Sequence, residues 1–231
     1  MTTEIENIVT RYERRKQGAA QTYDPLRPEV LMARQEKERA LIRWIRTCGI
    51  APVAERRLLE IGCGSGVNLL SFLQLGFRPE NMVGNELLPE RARASQEVLP
   101  NELQIRIGDA LTMAIPETSF HIVFQSTVFT SILNMEFQEA LARRMWLAAK
   151  PGGGVLWYDF VYDNPGNADV RGIPMTRIRQ LFPHGRMWHM RVTLAPPISR
   201  IVTPLASSLY TVFNSLPALR THVLCWIQKK G

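Results

Sequence analysis

The chain has 231 residues, 45% of them hydrophobic and 21% charged, with a formal net charge of +7. These values exclude a disordered or collagenous chain, and the length suffices to bury a full core. No apolar run reaches the roughly 18 residues of a spanning helix, and residues 1–17 lack the apolar segment of a signal peptide, so neither is expected. The three cysteines, Cys48, Cys63 and Cys225, form no CxxC pair. A metal site or disulfide framework is therefore not expected, and a reducing, cytoplasmic compartment is.

Residues 1–55 read as an N-terminal helical arm or lid, and 56–231 as the main domain. Pro28 opens a helix in which Val30, Leu31, Ala40, Leu41, Trp44 and Ile45 recur at helical spacing, and Gly49 can end it. The polar stretch ahead of it, with a turn at Asp24-Pro25, is expected to be mobile without ligand and ordered with it. From Arg57 the pattern alternates. RLLEI is a strand and VNLLSFLQLGF a helix. MVGNEL is a strand and PERARASQEV a helix. QIRI and HIVFQ are strands, and MEFQEALARRMWLAA is an amphipathic helix. Pro151-Gly152-Gly153-Gly154 reads as a turn before the strand VLWYDF. RMWHMRVTLA reads as a strand, residues 198–216 as a helix broken near Pro204, and HVLCWIQ as a last strand. Strands alternating with helices predict a doubly wound α/β fold with a parallel sheet.

The informative segment is LLEIGCGSGVN, residues 58–68. Gly62, Gly64 and Gly66 sit where the first strand turns into the first helix, and glycine there lets the backbone approach a ligand closely. The spacing is GxGxG, not the GxGxxG of dinucleotide binding, because position 67 is valine. Glu60, beside the loop, would repel a pyrophosphate and suit an ammonium group. Glu86 ends the second strand, where an acid can accept both hydroxyls of a ribose. Asp109 ends the third strand, where it can accept an adenine amino group. Three acids beside one glycine loop thus favour a ligand with an amine, a ribose and an adenine, but no phosphates.

With EIGCGSG, VGNELLPE, GDAL, SFHIVFQSTVF and LAAKPGGGVLWYDF in this order, the sequence resembles the class I S-adenosylmethionine-dependent methyltransferases of the small-molecule, bacterial type. The resemblance covers about residues 57–160. It implies a Rossmann-like seven-stranded sheet of order 3-2-1-4-5-7-6, strand 7 antiparallel, with helices on both faces. It implies S-adenosylmethionine as cofactor and S-adenosylhomocysteine as product. Glu60, Gly62, Gly64, Gly66 and Asn68 would line the methionine moiety. Glu86 would hold the ribose, with Leu87 beside the adenine and Asp109 and Ala110 facing it. Gln125 and Ser126 would pass under the sulfonium. One departure is His121, where the family's fourth strand usually has aspartate; it is expected to act structurally at the strand's start.

The same resemblance places the acceptor near Thr127, Tyr158 and Tyr162, with Tyr12 or Tyr23 of the arm closing on the pocket. Asp159 and Asp163 are the candidate bases; His184 and His189 are expected in a surface turn and a strand. Neither the Asn/Asp-Pro-Pro-Tyr/Phe motif of amino-methylating DNA enzymes nor a Pro-Cys nucleophile is present, since Asn164-Pro165 continues with Gly166. A small-molecule acceptor is expected, not nucleic acid. The expected reaction is O-methylation of a sugar or natural-product-like metabolite. The alternatives are N-methylation of a small amine and a noncatalytic cofactor-binding partner subunit. The C-terminal third is basic, and the apolar stripe over residues 198–216 suits packing on the sheet or a face for a membrane, a lipid-linked acceptor or a second subunit.

Overall fold

The computed structural model describes residues 3–22 and 24–231. Seven strands form one sheet of order β3-β2-β1-β4-β5-β7-β6. They are β1 (Leu58–Ile61), β2 (Met82–Glu86), β3 (Gln104–Ile107), β4 (Phe120–Ser126), β5 (Ala149–Phe160), β6 (Arg186–Leu194) and β7 (Arg220–Gln228). β1 runs parallel to β2 and β4, β3 to β2, and β5 to β4, while β7 is antiparallel to both β5 and β6. The expected order and the single antiparallel strand are both present.

Among the described residues, eight α-helices surround the sheet: α1 (Glu4–Thr22), α2 (Pro28–Thr47), α3 (Val67–Gln74), α4 (Pro89–Val98), α5 (Met135–Ala148), α6 (Met175–Leu181), α7 (Pro196–Val202) and α8 (Ser207–Asn214). β1, β2 and most of β4 and β5 are buried on both faces, so their central residues are mainly apolar. One face packs α5 and α6 through Leu141, Met145 and Ile178. The other packs α2 and α3 through Leu41, Trp44, Leu69 and Phe72. α2 is therefore part of the core, and the expected division at residue 55 does not separate it: Trp44 is fully buried, its ring 5.4 Å from that of Trp226.

The Pro151–Gly154 run is not a turn. It belongs to β5, which pairs through Ala149 with Phe120 and, after a register shift, through Gly154 with Ile122. Glycine is needed there because a Cβ on Gly153 would lie 2.5 Å from the His121 carbonyl oxygen. The arm expected to be mobile is helix α1, docked on the sheet's edge. Glu4 accepts from the Leu133 N–H at 3.0 Å, Arg11 donates to the Ser131 carbonyl at 3.1 Å, and Ile8 is buried in the core. Tyr23 lies outside the described residues.

Candidate active site

The first strand ends in a glycine loop because only glycine accepts its backbone cheaply. Gly62, Gly64 and Gly66 have φ of +68°, +59° and +84°, and Gly66 leads directly into α3. A Cβ on Gly62 would meet a Val128 methyl at 2.6 Å, and one on Gly64 would collide with the Arg91 guanidinium. Glu86, at the end of the neighbouring strand, holds this loop. Its Oε2 accepts from the Gly64 N–H at 2.7 Å and its Oε1 from the Leu88 N–H at 3.0 Å.

A cleft opens beside the loop. Gly62, Glu86, Leu87, Asp109 and Ala110 line it from the sheet, and Ile5, Ile8 and Tyr12 line it from α1. Asp109 uses Oδ1 to accept from the Leu111 N–H at 2.9 Å, and its second oxygen takes no hydrogen bond within the described residues. Tyr12 lies 5.1 Å under the Arg91 guanidinium, so α1 covers the glycine loop as well as the cleft.

A second group of polar side chains lies on the α2 face. Glu60 is fully buried, and its Oε1 accepts from the Asn68 amide at 2.6 Å. The Asn68 amide oxygen in turn accepts from the Lys37 ammonium. Glu60 Oε2 is buried with no hydrogen-bond partner among the described residues. Burial pushes the Glu60 carboxyl up to about 8, partly offset by Asn68 and Lys37, and burial likewise pulls Lys37 below its usual range. Lys37 Nζ also sits 5.0 Å from the centre of the Tyr158 ring, which is stacked on His222 at 5.1 Å. Register explains the line-up. Ser126 pairs with Tyr158, and Phe160, two residues on, pairs with His222 at the same edge of the sheet.

The remaining candidates divide clearly. Gln125 accepts from the Val128 N–H at 3.0 Å and fixes the loop after β4, where Thr127 takes φ +56°. Asp159 does not reach the cleft. Its side chain is fully buried, accepting from the Thr130 hydroxyl at 2.7 Å and from the Thr130 and Phe160 N–H groups. Burial pushes it up to about 7 against these bonds. Asp163 is exposed and accepts from the Gly172 N–H at 2.9 Å, closing a loop. Tyr162 is 53% exposed beneath Arg191. None of these three lines the cleft: the Thr130 turn takes the Asp159 carboxylate, and Tyr162 and Asp163 lie in the exposed loop after β5. His121 Nδ1 accepts from the Arg57 N–H at the far end of β4, as expected, and His184 and His189 are exposed. Sequence reading missed Lys37 and His222. A lysine within an amphipathic helix carries no local mark of burial, and His222 lies outside every motif.

Residues 58–153 match a family model described as a methyltransferase domain. Over this stretch the chain is similar to methyltransferase domains, and the stretch forms part of the seven-stranded sheet described above. A curated relative, the ubiquinone/menaquinone biosynthesis C-methyltransferase UbiE of Dinoroseobacter shibae, is 29% identical over 133 residues, 55% of this chain and 50% of that protein. The chain thus matches about half the length of that relative. Among solved structures, the magnesium protoporphyrin IX methyltransferase ChlM from Synechocystis, with bound S-adenosylhomocysteine, has TM-score 0.67 at 10% identity, covering 96% of this chain and 99% of that one. The cyclase SpnF has TM-score 0.61 at 13% identity, over 85% and 83%. At these identities the structures establish the fold of this domain.

The residues present fit S-adenosylmethionine. The glycine loop has no room for a side chain, Asp109 keeps one oxygen free beside the cleft, and the orphaned Glu60 oxygen suits an ammonium group. Glu86 would hold the ribose through the lone pairs its two N–H donors leave open. Bound there, the cofactor would supply an electrophilic methyl carbon.

Proposed function

We propose that the protein transfers a methyl group from S-adenosylmethionine to a hydroxyl oxygen of a small-molecule acceptor, a sugar or a natural-product-like metabolite. The observation that carries this reading is the pair of nitrogen groups on the α2 face. Burial drives both Lys37 and His222 toward their neutral, lone-pair-bearing forms. A hydroxyl acceptor must lose a proton as it reacts, so such groups are needed beside it.

The two nitrogens have different tasks. His222 is held near 3 by burial and by the charges of Lys37 and Arg191, too weak a base to keep a proton at neutral pH. With Nδ1 donating to the Thr221 hydroxyl at 3.0 Å, Nε2 carries the lone pair that accepts from and orients the acceptor hydroxyl. Lys37 starts from a much higher basicity, and lowering brings it toward the range where a general base works best. Bound S-adenosylmethionine would supply the electrophilic methyl carbon, and the Lys37 amine would take the proton that the acceptor hydroxyl loses.

Turnover of methyl-labelled S-adenosylmethionine with a panel of hydroxylated metabolites and small amines tests this. O-methyl products from the native chain, lost in Lys37→Met, are expected. N-methyl products alone would overturn the choice of hydroxyl. Binding of S-adenosylhomocysteine with no turnover on any acceptor would favour a noncatalytic partner subunit.

A further inference from the structure

Residues 195–219 connect the end of β6 to the start of β7. β6 runs parallel to β5, so this connection lies at the sheet edge that carries Glu60, Tyr158 and His222. The inner side of its two helices is accounted for. Val202 and Tyr210 are buried and pack with Leu194 against Met32 and Ala33 of α2. The outer side is apolar as well. Ile201, Leu205, Val212 and Leu216 are 69%, 76%, 60% and 55% exposed. The residues exposed between them are prolines, alanines, serines and threonine, with Arg200 at one end. A helix pair that has already filled its core contact has no structural need for a second apolar face, and such faces mark interaction sites.

Charge points to the partner. Residues 195–219 contain no aspartate or glutamate, Arg200 is exposed in α7, and Arg191 and Arg220 lie near the strand ends beside this connection. We propose that α7 and α8 dock on an anionic lipid bilayer, with Ile201, Leu205, Val212 and Leu216 entering the acyl boundary and Arg200 at the headgroups. Apolar burial and attraction to anionic lipid act together in such surface-lying helices. A second copy of this chain is the poorer occupant, because a two-fold contact would set Arg200 and an acid-free connection against the same groups of the other copy.

The docking face is tied to the acceptor side. The Tyr210 hydroxyl donates to Glu36 Oε2 at 3.0 Å, and the same oxygen accepts from the Thr193 N–H at 2.7 Å. The Thr193 hydroxyl is 2.7 Å from the Tyr158 hydroxyl. Tyr210, Glu36 and Thr193, the last through both its N–H and its hydroxyl, thus connect α8 to the Tyr158 ring beneath Lys37. Given the methyl-transfer reading, on which this step rests, the acceptor is one carried in or on the bilayer, a lipid-soluble or lipid-linked hydroxyl compound.

Sedimentation of the full chain with vesicles of phosphatidylcholine, with and without phosphatidylglycerol, tests the proposal. Binding to the anionic vesicles is expected, weakened by salt. The double variant Leu205→Ser with Val212→Ser should lose at least about tenfold in binding, since each buried methylene contributes about 0.8 kcal/mol and about 1.4 kcal/mol is tenfold. Failure of the native chain to sediment with anionic vesicles overturns the proposal. Undiminished binding of the double variant overturns its assignment to α7 and α8, and a dimer that the variant dissolves gives the face to a second copy. The rise in melting temperature with S-adenosylhomocysteine, measured on both proteins, should be equal. Its absence in both would sink the methyl-transfer reading while leaving the vesicle result to stand.

Discussion

Glu86 and Gly64 are joined by a hydrogen bond of 2.7 Å from the backbone N–H of one to the carboxylate of the other, across 22 residues of chain. The same carboxylate takes the Leu88 N–H, so one side chain sets both the glycine loop and the turn after β2. Its expected ligand contact is built on that structural one.

Glu86→Ala should therefore act twice. Loss of charge-assisted bonds to a ribose, each worth about 1.5–3 kcal/mol, should weaken S-adenosylhomocysteine binding at least about tenfold by calorimetry. The two orphaned N–H groups should also lower the melting temperature of the ligand-free chain. Unchanged affinity in a folded variant would remove Glu86 from the cofactor site.

Asp159→Asn should fold and keep methyl transfer within a few-fold of native, because the carboxylate is spent on Thr130 and Phe160 rather than facing the cleft. Its pH signature is specific. The folded-state carboxyl is raised to about 7 from an ordinary 3.8, so it favours the fold most below the lower value. That advantage is lost as pH rises toward and through about 7. Native stability relative to Asp159→Asn should fall over this window in denaturant titrations. A flat difference, or a large loss of turnover in the variant, contradicts the structural role.

Lys37→Met should reduce turnover by about 10²-fold or more, the usual contribution of a general base. Its rate should also lose the rise with pH that deprotonation of Lys37 gives the native protein. His222→Ala should raise KM for the acceptor more than it lowers affinity for S-adenosylhomocysteine. Parallel losses of cofactor affinity and turnover in both variants would mean that they only support the fold.

Ile8→Ala with Tyr12→Ala tests α1 as a cover. Ile8 belongs to both the core and the cleft wall, and Tyr12 packs beneath Arg91. Truncation should weaken S-adenosylhomocysteine binding several-fold beyond the effect of Ile8→Ala alone, and faster proteolysis within residues 1–22 should accompany it. If affinity is unaltered, α1 is only packing.

The strand-end acids and the glycine loop were legible because their chemistry is local. Glu60, Gly62, Gly64 and Gly66 fall within seven residues, and a strand followed by positive-φ glycines implies its own geometry. The single antiparallel strand followed from the resemblance. The α2-face cluster was not legible. Thr193 meets Glu36 across 157 residues and Tyr210 meets it across 174, so no window of sequence holds the pattern. Asp159 misled for a related reason. It lies at the end of β5, but the Thr130 turn, 29 residues away in sequence, claims its carboxylate.

α1 spans the cleft between two anchorages. Glu4 and Arg11 hold it to the turn after β4, and Arg14 pairs with Asp169 at 3.0 Å in the loop after β5. A spent cofactor cannot leave that cleft without parting some of these contacts. Dissociation of S-adenosylhomocysteine, not bond making at the methyl carbon, should then set the steady-state rate. Rapid mixing should reveal a first, fast turnover of about one product per chain, followed by a slower linear phase that quickens when Arg14→Ala loosens the far anchorage.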